Sequence, residues 1–253
     1  MFSVESMQAG LNTEFLGRKV QYVTSTNSTN DDIWNNFQND ATNGTLIISE
    51  QQKKGRGRRK SKWYATPNKS LIFSFLFLPE IPLEKLGILP LLTGVSIVKG
   101  IHIITNILSG LKWPNDIMLD QKKMGGILIE SRTTNQGLGI VVGIGLNIND
   151  SPNDFPKELK DQATSLLIYS GQEYKREIIL SSILNEFENL YFYDWQNITT
   201  LWEKYCIHKN NTITFHNDEE LFRGKFQGIT SAGYAQIELN GKIETFPAGM
   251  ITL

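Results

Sequence analysis

A short basic segment is the most unusual chemical feature of this sequence. Positions 53–62 read KKGRGRRKSK and hold seven of the 25 lysines and arginines, although the formal net charge of the chain is only -1. Gly55 and Gly57 allow the backbone to approach a ligand closely. The planar forks that match phosphate or carboxylate oxygens belong to Arg56, Arg58 and Arg59. Trp63 directly after the charges favours an anion site, while a solvated loop or a nucleic-acid contact stays open from composition alone.

A second cluster places cationic and acidic groups at a bend. KWPND occupies positions 112–116, and Pro114 biases the tryptophan before it to an extended conformation. Lys112, Asn115 and Asp116 are therefore expected around a tight turn, where they can face one ligand. Asp116 could hold Mg²⁺ against phosphate oxygens, and Lys112 could neutralise charge as pyrophosphate departs. An ordinary Pro–Asn–Asp turn is the alternative.

Paired glycines follow in the next apolar segment. KKMGGILIE at 122–130 predicts a strand in which Lys123 is the sharper of two candidate lysines. Gly126 removes a side chain where a flat ligand could lie against the strand. A hairpin turn with solvated lysines and a β-bulge explains the same residues equally well.

A third glycine-bearing segment, GIGLN at 143–147, invites comparison with dinucleotide-binding motifs. It lacks the third glycine and opens no helix, so a Rossmann fold is rejected. The segment instead predicts a strand in which Gly143 and Gly145 make room for a ligand, with Asn147 at the mouth of the site.

Polar residues at a strand-to-helix junction offer hydrogen bonds to a small polar ring. The repeat STNSTN at 25–30 leaves the register ambiguous, and the second copy is favoured because a helical pattern begins directly after it. Ser28, Thr29 and Asn30 would then lie at a helix N-terminus with free N–H groups. Simple helix capping is the alternative, and capping and ligand contact can coexist.

Other features limit the function classes. The single cysteine, Cys206, excludes an intramolecular disulfide and favours a buried thiol, and neither CxxC nor HExxH occurs. The N-terminus has no basic start followed by an apolar stretch, and no sufficiently long apolar run is evident, so a cytoplasmic protein without a membrane span is expected.

The order of predicted elements indicates an α+β chain with two unequal domains. Strand patterns at 18–24, 45–49, 70–78 and 110–148 alternate with helical patterns after Ser28, at 84–107, 174–193 and 198–208. Short turns between consecutive strands predict largely antiparallel pairing. From Asn211 onward, four or five short β-runs at close spacing predict a small barrel-like domain.

Taken in order, the segments STN, EQQ, GRGRR with its tryptophan, KWPND, KKMGG and GIGLN resemble the catalytic domain of biotin–protein ligases. The match runs from about residue 15 to 205, and the final stretch looks like the SH3-like barrel of many members. The resemblance implies a biotin/lipoate ligase fold similar to class II synthetases, with a catalytic domain at 1–208 and a small β-barrel domain at 209–253. It also implies the type without an N-terminal winged helix-turn-helix, because few residues precede the first strand, and hence no DNA binding.

The same resemblance assigns roles to the candidate residues. Ser28, Thr29 and Gln52 would bind the ureido ring of biotin, with Asn30 beside them and backbone help from Arg56 and Gly126. The valeryl chain would lie between glycine-bearing strands, one of which carries Gly143 and Gly145. The remaining contacts would serve the nucleotide and the linkage: Arg58, Gly55, Gly57, Trp63, Lys112, Asn115, Asp116 with Mg²⁺, Lys123 and Asn147. One departure is that Lys60 and Ser61 replace a glycine and an arginine that members commonly carry in this loop, and lysine is a poorer bidentate partner for phosphate than arginine.

The implied reaction proceeds without a covalent enzyme intermediate. The carboxylate of biotin attacks the α-phosphorus of ATP, and a lysine of a biotin carboxyl carrier protein then attacks the biotinyl-AMP anhydride. The absence of a convincing Ser–His or Cys–His pair fits such chemistry, since positioning and charge stabilisation can carry it. Lipoate–protein ligase, a non-catalytic biotin sensor and a nucleic-acid-binding module are the alternatives, and a homodimer is an open option.

Overall fold

A computed structural model describes residues 2–39, 41–79, 83–134, 137–217 and 220–252. Its main body is a seven-stranded sheet in the spatial order β1-β2-β3-β7-β6-β5-β4. The strands are β1 (Val20–Val23), β2 (Leu46–Ser49), β3 (Leu71–Phe77), β4 (Gly110–Lys112), β5 (Asp116–Leu119), β6 (Lys122–Thr134) and β7 (Gly137–Leu146). Only β1 and β2 pair in parallel, so the sheet is mixed and largely antiparallel, as predicted.

Helices cover both faces of this sheet. The helices are α1 (Val4–Ala9), α2 (Thr29–Phe37), α3 (Leu89–Thr105), α4 (Leu166–Ser170), α5 (Arg176–Tyr193) and α6 (Ile198–Tyr205). Alternation of side chains along each strand separates two cores. Ile47, Leu76 and Val141 face α2, whereas neighbouring strand residues face the larger core beneath α3 and α5.

Helix α3 is the central helix of the larger core. Residues Leu86–Thr105 are long and apolar enough to cross a membrane by length and composition alone, a feature that the sequence analysis overlooked. Most of this segment is buried inside the protein, where α3 packs against α5, α6 and the sheet. Its apolar character is therefore explained as that of a core helix.

A second antiparallel sheet forms the C-terminal part of the chain. Its strands are β8 (Thr212–Asn217), β9 (Glu220–Ile229), β10 (Ala235–Leu239), β11 (Lys242–Phe246) and β12 (Met250–Thr252). Their order is β11-β10-β9-β8-β12. The five strands match the predicted β-runs. β11 and β12 are the two edges of the described sheet, and the arrangement is consistent with the predicted SH3-like domain.

The C-terminal sheet packs directly on the main body. Trp113, in the bend after β4, is fully buried and its indole Nε1–H donates to the carbonyl of Gly233 at 3.1 Å. The Trp113 ring also lies 6.1 Å, centroid to centroid, from Phe215 of β8. The KWPND bend therefore joins the two sheets, which a view of it as a simple turn does not anticipate.

Candidate functional site

The floor of the site follows from strand register. On the face that α2 partly covers, Ile72 of β3, Gly145 of β7 and Gly126 of β6 are directly opposite one another. The next row along the strands is Ser74, Gly143 and Leu128. Because α2 packs on the row beyond these, the two rows stay open and form the base of a depression.

Glycine is required on this floor because other groups already occupy the space above it. A Cβ at Gly145 would lie 2.4 Å from Cε2 of Trp63, and a Cβ at Gly143 would lie 2.1 Å from Oδ1 of Asn30. Trp63 therefore lies flat on the bare backbone of β7 and β6. Its indole Nε1–H is buried and has no hydrogen-bond partner among the described residues, so it is available to a ligand.

A buried hydrogen-bond network occupies the end of the depression next to α2. Oε1 of Gln52 accepts from the backbone N–H of Thr29 at 2.8 Å and from its hydroxyl at 3.1 Å. The Thr29 hydroxyl is 2.6 Å from Oγ of Ser74, which donates to Oδ1 of Asn30 at 2.7 Å. Gln52 thus satisfies the first backbone N–H of α2, one of the N-terminal donors that have no partner within the helix.

Ser28 occupies the N-cap position of α2, yet its hydroxyl makes no capping hydrogen bond. Simple capping is therefore the wrong explanation for Ser28. The residue is buried and lines the cavity, where its hydroxyl can contact a ligand.

The basic loop, residues 53–62, is fixed at two points. Arg56 makes a bidentate ion pair with Asp31 of α2, with Nη1 and Nη2 at 2.7 and 2.6 Å from the two carboxylate oxygens. The expectation that the Arg56 fork binds an anion is therefore wrong for this conformation, because Asp31 occupies that fork. Arg58 instead turns inward, and its Nη1 donates to the carbonyl of Gly249 at 3.4 Å.

Arg58 lies in an electrostatic environment that favours the binding of an anion. Burial lowers the pKa of its guanidinium, and the neighbouring charge of Arg59 lowers it further, while Asp116 acts in the opposite direction. A cation that is desolvated next to another cation gains when an anion binds beside it. The loop is therefore set to accept negative charge in the cavity.

Asp116 holds two lysines at the opposite wall. Its Oδ1 is 2.6 Å from Nζ of Lys123 and its Oδ2 is 3.3 Å from Nζ of Lys112. Asp116 is directly opposite Gly126 in the sheet, which brings this ionic group to the floor of the site. Two fixed ammonium groups form a second cationic wall facing Arg58.

This arrangement fits a resident Mg²⁺ poorly. Both oxygens of Asp116 already face ammonium groups, and the described residues contain no cluster of three His, Cys, Asp or Glu side chains that could hold a metal. Mg²⁺ prefers several free oxygen ligands in octahedral geometry. The structure therefore gives Asp116 the role of fixing two lysines.

The basic loop, the KWPND bend and the strand that carries Lys123 and Gly126 enclose one cavity of about 360 Å³. Among its walls are all the predicted site residues except two. They are Ser28, Thr29, Asn30, Gln52, Arg56, Gly57, Arg58, Trp63, Lys112, Asn115, Asp116, Lys123, Gly126, Gly143 and Gly145. Segments that are distant in sequence thus converge as expected.

The two exceptions have structural contacts. Asn147 is buried, and its Nδ2 donates to the carbonyl of Thr164 at 3.0 Å, so it anchors the chain after β7. Gly55 is buried beneath the basic loop, where a Cβ would lie 2.7 Å from the carbonyl oxygen of Trp63. Neither lines the cavity.

Sequence reasoning missed several residues of the site. Ser74 and Glu130 do not line the cavity themselves, but both hydrogen-bond to Asn30, which does. They belong to strands whose patterns gave no sign of which face was functional, and register alone reveals them. Gly249, Met250 and Ile251 come from the C-terminal sheet, far from every motif. Only the packing of the two sheets brings these three residues to the cavity.

Comparison with known proteins identifies the family. A sequence model of the biotin/lipoate A/B protein ligase family matches residues 20–147. The chain belongs to this family. It is 34% identical to the bifunctional ligase/repressor BirA of Bacillus subtilis over 99% of this chain and 79% of that protein. It is also 32% identical to the biotin–[acetyl-CoA-carboxylase] ligase of Mycobacterium tuberculosis, over 68% of this chain and 63% of that one.

Solved structures agree with the assignment. The biotin protein ligase of Aquifex aeolicus in complex with biotin and ATP has a TM-score of 0.78 and 27% identity, covering 93% of this chain and 98% of that chain. The recognition of a biotin–protein ligase, the predicted fold class and the enzyme class are thereby confirmed. The chain therefore combines the fold of this ligase family with a C-terminal sheet.

Proposed function

We propose that this family member activates biotin with ATP to biotinyl-5′-AMP and then transfers biotin to a lysine of a biotin carboxyl carrier protein. The observation that carries the proposal is one cavity in which a polar pocket, bare glycine strands and two cationic walls follow one another. A polar ring, an apolar chain and a phosphate need these surroundings in this order.

The polar end suits the ureido ring of biotin. Ser28 offers a buried hydroxyl, and Thr29 and Gln52 offer hydroxyl and amide groups that their own hydrogen bonds already orient. Preorganised donors and acceptors give specificity because a ligand that cannot satisfy them leaves buried polar groups unpaired. The valeryl chain would lie along the glycine-bearing strands β6 and β7, next to Trp63 and Asn30, which cover Gly145 and Gly143.

The cationic walls suit the activation step. As the biotin carboxylate attacks the α-phosphorus, negative charge develops on the phosphoryl oxygens and on the departing pyrophosphate. Arg58 on one side and Lys112 and Lys123 on the other stabilise this charge in a site shielded from water. Asp116 keeps the lysines directed inward, Asn115 shapes the bend, and the Trp63 ring is available to the nucleotide. Magnesium enters the proposal only as part of the ATP substrate.

Transfer to the carrier completes the reaction. A neutral lysine amine of the carrier attacks the anhydride carbonyl, the amide bond forms, and AMP leaves with the electrons of the broken C–O bond. Proximity accounts for much of the rate of such a step, and no enzyme nucleophile is needed. We assign residues 1–208 to the catalytic domain and 209–253 to the C-terminal domain, and we place the reaction in the cytoplasm.

Two features bear on the alternatives. The hydrogen-bonded pair of Thr29 and Gln52, with the buried hydroxyl of Ser28 beside it, favours a polar-headed acid over lipoate. Arg56 is paired with Asp31 and Arg58 faces the cavity, so two of the three arginines are unavailable to an external nucleic acid.

The test uses purified apo-biotin carboxyl carrier domain, ATP and Mg²⁺ with biotin or lipoate, followed by intact-protein mass spectrometry. The proposal expects the addition of one biotin to one lysine and negligible addition of lipoate. Preferential lipoylation would assign the enzyme to the other branch of the family, and pyrophosphate release without any modified carrier would remove the proposed acceptor.

A further inference from the structure

The contact between Asp31 and Arg56 is the direct connection between helix α2 and the basic loop. Nη1 of Arg56 donates to Oδ2 of Asp31 at 2.7 Å, and Nη2 donates to Oδ1 at 2.6 Å. Both side chains are about two-thirds shielded from solvent, with 35% of Arg56 and 40% of Asp31 exposed. Bidentate pairs of this kind fix orientation as well as distance. The pair therefore fixes where the basic loop leaves the sheet.

A second carboxylate closes a ring around this contact. Oε1 of Glu130 on β6 lies 3.7 Å from Nη2 of Arg56, and its Oε2 accepts from Nδ2 of Asn30 at 2.8 Å. Asn30 and Asp31 are neighbours in the first turn of α2. Asn30, Asp31, Arg56 and Glu130 thus form a closed polar ring that joins α2, the basic loop and β6.

This polar ring continues into the polar pocket. Oδ1 of Asn30 accepts from Ser74, Ser74 contacts Thr29, and Thr29 donates to Gln52. The three oxygen–oxygen contacts along this chain measure 2.6 to 3.1 Å. The position of the basic loop and the geometry of the pocket are therefore set by one connected network.

The charges of the ring explain why it persists at neutral pH. The hydrogen bond from Arg56 lowers the pKa of the Asp31 carboxyl; burial opposes this effect, and the charges of Arg56 and Arg132 add to it. Asp31 in turn raises the pKa of the Arg56 guanidinium through the same hydrogen bond. Both members stay ionised, and the Arg56 fork is not free for phosphate.

We propose that Asp31, assisted by Glu130, is a positioning residue that holds the basic loop against the biotin pocket through Arg56. Asp31 does not line the cavity, so it acts on the ligand only through its partner. This inference rests on the proposed function and adds a positioning residue to its site. We call the Asp31–Arg56 ion pair the clamp. Loss of the clamp should weaken biotin binding and let biotinyl-AMP escape, while the rate of activation at saturating biotin is preserved.

The primary test is Asp31→Asn, which keeps the shape and removes the charge. In biotin-dependent ATP–pyrophosphate exchange, the KM for biotin should rise about three- to tenfold with kcat changed less than twofold, as expected for a half-buried charge-assisted pair. Without carrier protein, biotinyl-AMP should appear in solution several-fold faster. Asp32→Asn is the matched control, because Asp32 is the next residue in the same helical turn and its change alters the net charge equally.

A double-mutant cycle with Arg56→Gln separates the clamp from a general loss of stability. The two single changes should be non-additive, because either one alone breaks the pair. Asp31→Glu keeps the negative charge, so its KM for biotin should lie between that of the parent and that of Asp31→Asn. Limited trypsin digestion should cut the basic loop faster in Asp31→Asn, at an unchanged melting temperature.

The outcomes distinguish this inference from the function on which it rests. Full additivity in the cycle, or an Asp31→Asn enzyme with the biotin KM and intermediate retention of the parent, overturns the clamp. A parent enzyme that shows no biotin-dependent exchange overturns the proposed function instead. An equal effect of Asp32→Asn would reduce the result to helix charge and also overturn the clamp.

Discussion

At the scale of single residues, the role of a charged side chain in the site depends on which groups lie next to it and not on its residue type alone. Three arginines of the basic loop look equivalent in sequence, yet the structure gives Arg56 to Asp31 and directs Arg58 into the cavity. Asp116 looks like a metal ligand, yet its oxygens face two ammonium groups. These distinctions depend on which side chains the fold brings together.

Arg58 is expected to retain the adenylate. In Arg58→Gly, a charge-assisted contact to the phosphoryl group is lost, and release of biotinyl-AMP should rise about tenfold or more, since such contacts contribute roughly 1.5–3 kcal/mol. Thin-layer separation of labelled adenylate after filtration measures the release. Lys54→Gly, an exposed change in the same loop, is the control; equal retention by Arg58→Gly and the parent would show that this arginine does not hold the intermediate.

Asp116 is expected to act by fixing Lys112 and Lys123. Asp116→Asn should lower kcat for pyrophosphate exchange about 100- to 1000-fold, the range seen when one group that stabilises transition-state charge is removed. The concentration of Mg²⁺ that gives half-maximal exchange should stay unchanged. A large increase in that concentration would instead identify Asp116 as a metal ligand and contradict the lysine-fixing role.

At the scale of elements, the sequence predicted the strands and helices well and their register not at all. Apolar patterns located β3, β6, β7 and α5 within a few residues because burial selects those patterns. The short helix α1 was missed. Ser74 and Glu130 were missed as site residues because a strand pattern does not reveal which side chains stand beside Gly143 and Val141.

The bare face of β7 is expected to be essential for biotin binding. Gly145→Ala would place a Cβ 2.4 Å from the Trp63 ring, so the ring must move, at a cost of about 1–3 kcal/mol for overpacking. Isothermal titration calorimetry should show biotin binding weakened about tenfold or more. Gly126→Ala is the matched comparison, because its Cβ would meet ordinary contacts of 3.4–3.7 Å. Indistinguishable affinities for the two variants would count against a ligand channel along β7.

At the scale of the whole molecule, the C-terminal sheet is part of the site. Trp113 donates to Gly233, and residues 249–251 line the cavity, so the C-terminal sheet completes a wall of the site. The sequence indicated five β-runs but gave no signal for where they would pack. That arrangement depends on contacts such as Trp113 with Phe215, which arise only in the folded chain.

The junction between the two domains should make stability depend on pH. Burial, with a smaller contribution from Lys112, lowers the pKa of His208 from 6.5 to about 3, and its ring lies 4.3 Å from that of Phe226. Below pH 6.5 the unfolded chain binds a proton that the folded chain excludes, so stability falls as the pH drops toward 3.

Urea unfolding at two pH values measures this effect. His208 alone should lower the free energy of unfolding by about 2 kcal/mol between pH 7 and pH 5. His208→Gln should remove that part of the pH dependence, and the exposed histidine variant His102→Gln controls for loss of a histidine. An unchanged pH dependence in His208→Gln would show that the buried ring does not control stability in this range.

A crystal structure with a non-hydrolysable biotinyl-AMP analogue tests the central claim most directly. The claim is that the basic loop, the KWPND bend and the strand that carries Lys123 bind one acyl-adenylate together. The account predicts the ureido ring against Ser28, Thr29 and Gln52, and the phosphoryl oxygens within hydrogen-bond distance of Arg58 and Lys123. An analogue bound outside this cavity, or bound with its phosphoryl group facing neither cationic wall, would contradict it.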